Sequence, residues 1–223
     1  DYLLMFNFEI GKIFKTFLKG EIIPIGSFKS NSVLKEKKIK KEIDLLYISV
    51  FRRLPYEIPK EDFIFFSNLK NYCRKKNYSL HVLGATPWRE EEDFYIKAFG
   101  SIMKKFIPRH KNRNPYKIVD KANIILNIDS TLGYEAISRG NKVAFFSLRP
   151  KKFPYNSRQF GWPVKKNYGK GRYWTDANTF GELSRILDFL RVCKVKNFKE
   201  MRNIMRFDEG NKKFLTLINK LII

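Results

Sequence analysis

The chain has 223 residues, 43% hydrophobic and 16% aromatic, enough for the core of one domain or one and a half, which excludes a disordered polypeptide. Its 45 Lys and Arg against 22 Asp and Glu give a net charge of +23, which favours nucleic acid, nucleotide phosphates or an anionic membrane surface as partners, although an AT-biased genome also produces lysine-rich solvated surfaces. No apolar run approaches the roughly 18 residues of a bilayer span, and Cys73 and Cys193 lack metal-ligand spacing, so the chain reads as a soluble or peripheral protein with reduced thiols in an intracellular setting.

Asp1 leads straight into the apolar YLLMFN with no cationic signal segment, and the chain reads as the C-terminal part of a longer protein. Residues 2–6 predict a strand. Ile10, Ile13, Phe14, Phe17 and Leu18 recur at helical spacing up to Gly20, and EIIPIGSF predicts a second strand. Residues 1–28 are therefore expected to be the end of an N-terminal Rossmann-like domain. Residues 29–43 follow as a basic linker, in which eight of the fourteen residues from Lys29 to Glu42 are charged.

The main domain is expected over 44–206. DLLYISVF (44–51) is a continuous apolar run of the kind found in buried parallel strands, ending at Arg52 and Arg53. Phe63, Phe66, Leu69, Tyr72 and Cys73 predict a helix over 62–75, and YSLHVLG a strand. Residues 88–99 predict a helix whose Glu90, Glu91, Glu92 and Asp93 read as partners of the helix dipole. FIPRH (106–110) ends in the basic loop RHKNRNPY; then come a helix-like PYKIVDKA, the strand ANIILNI, the segment DSTLGYEAISRG and the strand KVAFFSL. Residues 149–176 read as a long loop bearing Trp162, Tyr173 and Trp174, and the chain is helical from Asn178, with a last helix in 207–223. This rhythm predicts the α/β class, a Rossmann-like parallel sheet with helices on both faces.

Asp129, Ser130 and Thr131 fall where a strand ends and a helix begins, so unpaired amides and the helix dipole face whatever sits above the strand ends. Asp129 or Ser130 can cap the helix, and Gly133 admits close approach of a backbone or ligand. Glu135, one turn deeper, is placed to accept from ribose hydroxyls; the alternative is an i, i+4 pair with Arg139. Arg109 and His110 can supply cations to the same phosphates, whereas His81 reads as a core histidine. No metal site is expected. There is no Walker A loop, no G-x-S-x-G and no G-x-G-x-x-G, which argues against P-loop NTPases, serine hydrolases and dinucleotide-dependent dehydrogenases.

The string KANIILNIDSTLGYEAISRGNKVAFFSL resembles the C-terminal nucleotide-binding half of GT-B glycosyltransferases, in the bacterial capsule and surface-polysaccharide group that includes Kdo transferases. Ser130, Thr131, Gly133, Glu135, Ala136, Gly140 and Val143 match that group's S-T-x-G-x-E-A-x-x-x-G-K-x-V pattern, with Asn141-Lys142 where Gly-Lys or Lys-Pro is usual. The resemblance implies two Rossmann-like domains across a cleft, with 44–206 as the nucleotide-sugar-binding one and the last helix crossing back to the other. It implies transfer of a sugar from a nucleotide-sugar donor to a surface glycan or glycolipid, with donor contacts from Asp129, Ser130, Thr131, Gly133, Glu135, Arg109 and His110. The general base is expected outside this chain. No cofactor beyond the donor is implied, and the setting is cytoplasmic, with peripheral contact at the anionic inner membrane. The rival readings are a nucleotide-sugar epimerase of the same fold and a basic nucleic-acid-binding module; the first would need paired acids and a histidine around one sugar carbon.

Overall fold

The computed structural model describes residues 1–6, 8–33, 35–36, 38–51, 59–109, 114–148, 169–194 and 210–222. Six strands, β3 (Ile43–Ile48), β4 (Leu80–Leu83), β5 (Met103–Ile107), β6 (Ala122–Asn127), β7 (Val143–Phe146) and β8 (Trp174–Thr175), form one sheet. Its order is β5-β4-β3-β6-β7-β8, and every pairing is parallel. Strands β4 and β7 are buried at every position, because helices cover both faces and leave no polar side for alternation to mark.

Helices α3 (Lys60–Lys76) and α4 (Arg89–Phe99) connect strands laid down in one direction, and α5 (Pro115–Asp120) and α6 (Thr131–Ser138) lead into strands laid down in the other. Right-handed crossovers put the two sets on opposite faces. Accordingly α3 packs against α4 and α7 (Phe180–Val192), and α5 against α6. Local sequence sets the helix ends: Asn77 closes α3 with a left-handed φ of 52°, Asn114 and Ser130 cap α5 and α6, and Thr179 Oγ1 accepts from Glu182 N to begin α7. At the centre of the core Tyr47, fully buried, meets the rings of Phe65, Phe66, Tyr95 and Phe99 at centroid distances of 5.7–6.1 Å. Cys73 and Cys193 are buried free thiols, and burial pushes the Cys73 thiol up to about 12.

The first residues form a separate two-stranded parallel sheet, β1 (Tyr2–Met5) and β2 (Glu21–Pro24), joined by α1 (Phe8–Phe14). The short α2 (Phe28–Asn31) follows, and the last helix, α8 (Gly210–Ile222), packs on α2 and β2, with Phe28 and Phe214 edge to face at 5.0 Å.

Two lysines of the basic segment 29–43 are exposed along their length but have their ammonium groups held by backbone carbonyls. Lys35 Nζ donates to Arg139 O at 2.7 Å. Lys41 Nζ donates to Asp120 O at 2.7 Å and Ala122 O at 2.8 Å, at the amino edge of β6. Burial first, then Lys35, lowers Lys41 to about 8 from 10.5. A lysine whose folded value lies below its unfolded one disfavours folding while both states hold the proton, so its contribution improves as pH rises from about 8 towards 10.5. Between about pH 7.5 and about pH 10 the urea midpoint of the wild type should therefore rise relative to that of Lys41→Met. A pH-independent difference would contradict the assignment.

The long loop expected over 149–176 contains strand β8, which two residues of pattern could not announce. Trp162 lies outside the described residues. Tyr173 and Trp174 pack against the hydrophobic core rather than over the cleft described below.

Candidate functional site

The strand order reverses direction between β3 and β6. Carboxyl ends of neighbouring strands splay there, which is where open α/β sheets bind ligands. A cleft of about 830 Å³ occupies this position. Its floor is Ile48 and Ser49 at the end of β3 and Leu83 to Ala85 at the end of β4; its sides are Arg109 after β5, Tyr116 of α5, the cap Ser130, and Thr131 and Glu135 of α6. Lys29 and Val33 of the N-terminal segment close it from above.

The α6 wall is built by Asn127, the last residue of β6. Its Oδ1 accepts from Ser130 N at 3.2 Å, turning the chain sharply, and Ser130 Oγ then accepts from Leu132 N at 3.3 Å as the cap. Thr131 is exposed at the first turn. Gly133 is buried against the strand rather than open to the cleft: a Cβ there would lie 2.3 Å from Asn127 Cγ. The glycine is thus needed for the approach of a side chain. Asp129 is half-buried and does not line the cleft. His110, with Lys111, Asn112 and Arg113, lies outside the described residues.

Glu135 reaches the cleft without pairing to Arg139. Its Oε1 accepts from Ser27 Oγ at 2.5 Å and its Oε2 from Tyr116 Oη at 3.0 Å. Burial first, and then the Glu135 charge, push the Tyr116 hydroxyl up, so it stays a donor. Arg139 turns the other way. Its Nε donates to Asp120 Oδ1 at 3.2 Å and its Nη2 to Asp120 Oδ2, while Nη1 donates to Val33 O at 2.8 Å and Ser30 O at 3.3 Å. Together Ser27 and Arg139 fasten the N-terminal segment across the open side of the cleft.

On the opposite wall Arg109 is exposed, with Nη1 donating to Ala85 O at 3.0 Å and its backbone N to Thr86 O at 3.3 Å. The loop it grips is held from below by Glu91. That carboxylate is fully buried and accepts from Ser49 Oγ and Ala85 N through Oε1, and from Thr86 N and Thr86 Oγ1 through Oε2. The sequence placed Glu91 with Glu90, Glu92 and Asp93 at the helix dipole; the partners it takes lie just beyond the ends of β3 and β4, and nothing in the spacing marks them. His81 is buried in β4, and burial lowers its affinity for a proton. Among the described residues no cluster of His, Cys, Asp and Glu side chains could hold a metal ion, and no helix is long and apolar enough to cross a membrane.

A six-stranded parallel sheet in this order, with a cleft at its reversal point, is a doubly wound Rossmann-like sheet, and it matches the GT-B Rossmann-like fold of solved structures. The wall teichoic acid polymerase TagF superposes with a TM-score of 0.61 at 12% identity over 100% of this chain and 58% of that one. The pneumococcal O-GlcNAc transferase GtfA, solved with UDP and GlcNAc, gives 0.52 at 12% identity over 100% and 45%. S. aureus TarM, solved as a variant with UDP among its ligands, gives 0.52 at 14% over 97% and 43%. The chain thus spans about half the length of these proteins. A family model described as "putative O-antigen biosynthesis protein" matches residues 1–222, and the chain belongs to that family. No curated protein matches it.

Proposed function

We propose that this chain is the nucleotide-binding part of a glycosyltransferase that builds a bacterial surface glycan, and that the cleft holds the nucleotide-sugar donor. The observation that carries this reading is the convergence of the capped α6 N-terminus, Glu135 one turn deeper and Arg109 opposite, at the reversal point of a parallel sheet. Family membership and the fold it shares with surface-glycan enzymes support it.

In this reading the diphosphate sits at the α6 N-terminus by Ser130 and Thr131, where the Thr131 amide and the helix dipole favour an anion by about 0.3–1 kcal/mol or more. Arg109 supplies a positive charge held at the cleft wall, and charge on the departing phosphate is met by these fixed groups without a resident metal. Glu135 takes the ribose hydroxyls, because each of its oxygens has one protein donor and keeps capacity for another. Asp129 does not line the cleft and Gly133 is buried against Asn127, so neither takes a donor contact in this reading. The acceptor and the general base belong to a facing domain that residues 1–28 and α8 would join. The protein would work in the cytoplasm, with its +23 charge against anionic lipid.

A thermal-shift panel of CMP, UDP, GDP and their sugar conjugates tests this. At least one nucleotide should raise the melting temperature, and Glu135→Ala should weaken its binding about tenfold, the cost of one lost hydrogen bond to a charged group. Tight oligonucleotide binding with no response to any nucleotide would favour the nucleic-acid reading and reject ours.

A further inference from the structure

Glu91 is a fully buried carboxylate beneath the cleft: two of its four hydrogen bonds come from Ser49 and Ala85 of the cleft floor and two from the adjoining Thr86. A carboxylate offers about four acceptor positions, so the set of donors is complete. Ala85 N and Thr86 N donate at 2.8 Å and Thr86 Oγ1 at 2.6 Å, which ties the 85–86 backbone in one orientation. In that orientation both carbonyls of the pair point to Arg109: Ala85 O takes its guanidinium and Thr86 O its backbone N–H. The Gly84 backbone beside them packs so closely that a Cβ would lie 2.8 Å from the Phe106 ring and 3.4 Å from Glu91 Oε2. The loop therefore has little room for another arrangement.

We propose that Glu91 is a positioning residue: through the Ala85–Thr86 backbone it aims the Arg109 guanidinium into the cleft, and so sets affinity for the phosphates of the ligand and not for its nucleoside. This role rests on the reading of the cleft as a nucleotide site. Arg109 is otherwise an exposed side chain with many rotamers, and holding it beforehand reduces the entropy lost when it meets a phosphate. The sequence gives no notice of the role, because the link runs from a helix through a loop to the end of the next strand.

Isothermal titration of the full chain with UDP and uridine, and with GDP and guanosine in parallel, tests the proposal. Glu91→Gln keeps the shape but offers a donating amide where two N–H or O–H groups need an acceptor. It should weaken diphosphate binding about tenfold and leave nucleoside binding within about twofold. In an Arg109→Ala background the same substitution should change diphosphate affinity by less than about twofold, because the group it acts through is gone. A merely structural defect would weaken nucleoside and diphosphate together, and additive losses in the double variant would mean that Glu91 acts by another route; either overturns the role. If Glu91→Gln does not fold, Thr86→Val, which removes a single donor to the same carboxylate, carries the comparison with a smaller loss of the same selectivity, and no change in the diphosphate-to-nucleoside ratio overturns it. A wild type that binds none of the four ligands overturns the reading of the cleft and this role with it, whereas diphosphate binding unaffected by Glu91→Gln overturns the role alone.

Discussion

Asp120→Ala should destabilise the fold by about 3–5 kcal/mol, the cost of leaving a buried charge without its partner. Asp120 is 3% exposed and the Arg139 side chain 7%. The carboxylate accepts from Arg139 through both oxygens and from Asn141 Nδ2 at 2.8 Å. Without it the guanidinium keeps only the Ser30 and Val33 carbonyls and the face of the Tyr116 ring, 5.3 Å from its centroid. The loss should be much smaller in Asp120→Ala/Arg139→Met, since replacing a buried pair by apolar groups is often close to neutral. Urea unfolding of the three proteins measures both values. A single-variant loss under about 1 kcal/mol would show that the pair behaves as a surface ion pair. Because Arg139 also holds the Ser30 and Val33 carbonyls above the cleft, the single variant should lose nucleotide affinity as well.

Gly133→Ala should cost about 1–3 kcal/mol, the range for overpacking a filled site. Two effects oppose here. Alanine in a helix is favoured over glycine by up to about 1 kcal/mol. Against that, the new Cβ would lie 2.3 Å from Asn127 Cγ and 2.7 Å from Asn127 Cβ, atoms near the root of a short, fully buried side chain that cannot swing aside. Either β6 or α6 must move, so the clash wins. The displaced α6 should also misplace the amides at Ser130 and Thr131, and nucleotide binding should fall with stability. Adding Asn127→Ala removes the contacts with Cγ and Nδ2 but keeps the 2.7 Å one with Cβ, so it should restore only part of the stability, while the Ser130 N–H loses its acceptor. Chemical denaturation of the single and double variants checks this; a Gly133→Ala protein more stable than wild type would contradict it.

The layered α/β architecture was legible in residues 44–148 because it is written locally. Buried parallel strands are continuous apolar runs, and amphipathic helices repeat at three and four residues, so β3, β4, β6, β7 and the helices between them follow from periodicity. The DSTLGYE segment was legible as a turn at a strand-to-helix junction, and Ser130, Thr131, Glu135 and Arg109 do line one cleft. What stayed hidden depends on partners distant in sequence. An i, i+4 rule offered Arg139 to Glu135, yet Asp120, on α5, takes the guanidinium and leaves Glu135 to Ser27 and Tyr116. Four consecutive acids looked equivalent until folding buried one of them. Strand β8 is two residues long and follows a stretch of Gly, Lys and Arg, so its pairing is set by the edge of β7 rather than by its own pattern. Lys29 looked like one of many linker charges, and only the docking of α2 brings it over the cleft.

The central claim is that the α6 N-terminus, Glu135 and Arg109 form one nucleotide site. Amide chemical-shift mapping of the isotopically labelled chain during titration with the nucleotide that stabilises it most tests this directly. The largest perturbations should fall on Ser130, Thr131 and Leu132, with smaller ones at Glu135, Arg109 and the Ala85–Thr86 loop that holds it. Perturbations confined to surfaces away from the carboxyl ends of β4, β5 and β6, with none at Ser130 or Thr131, would contradict it.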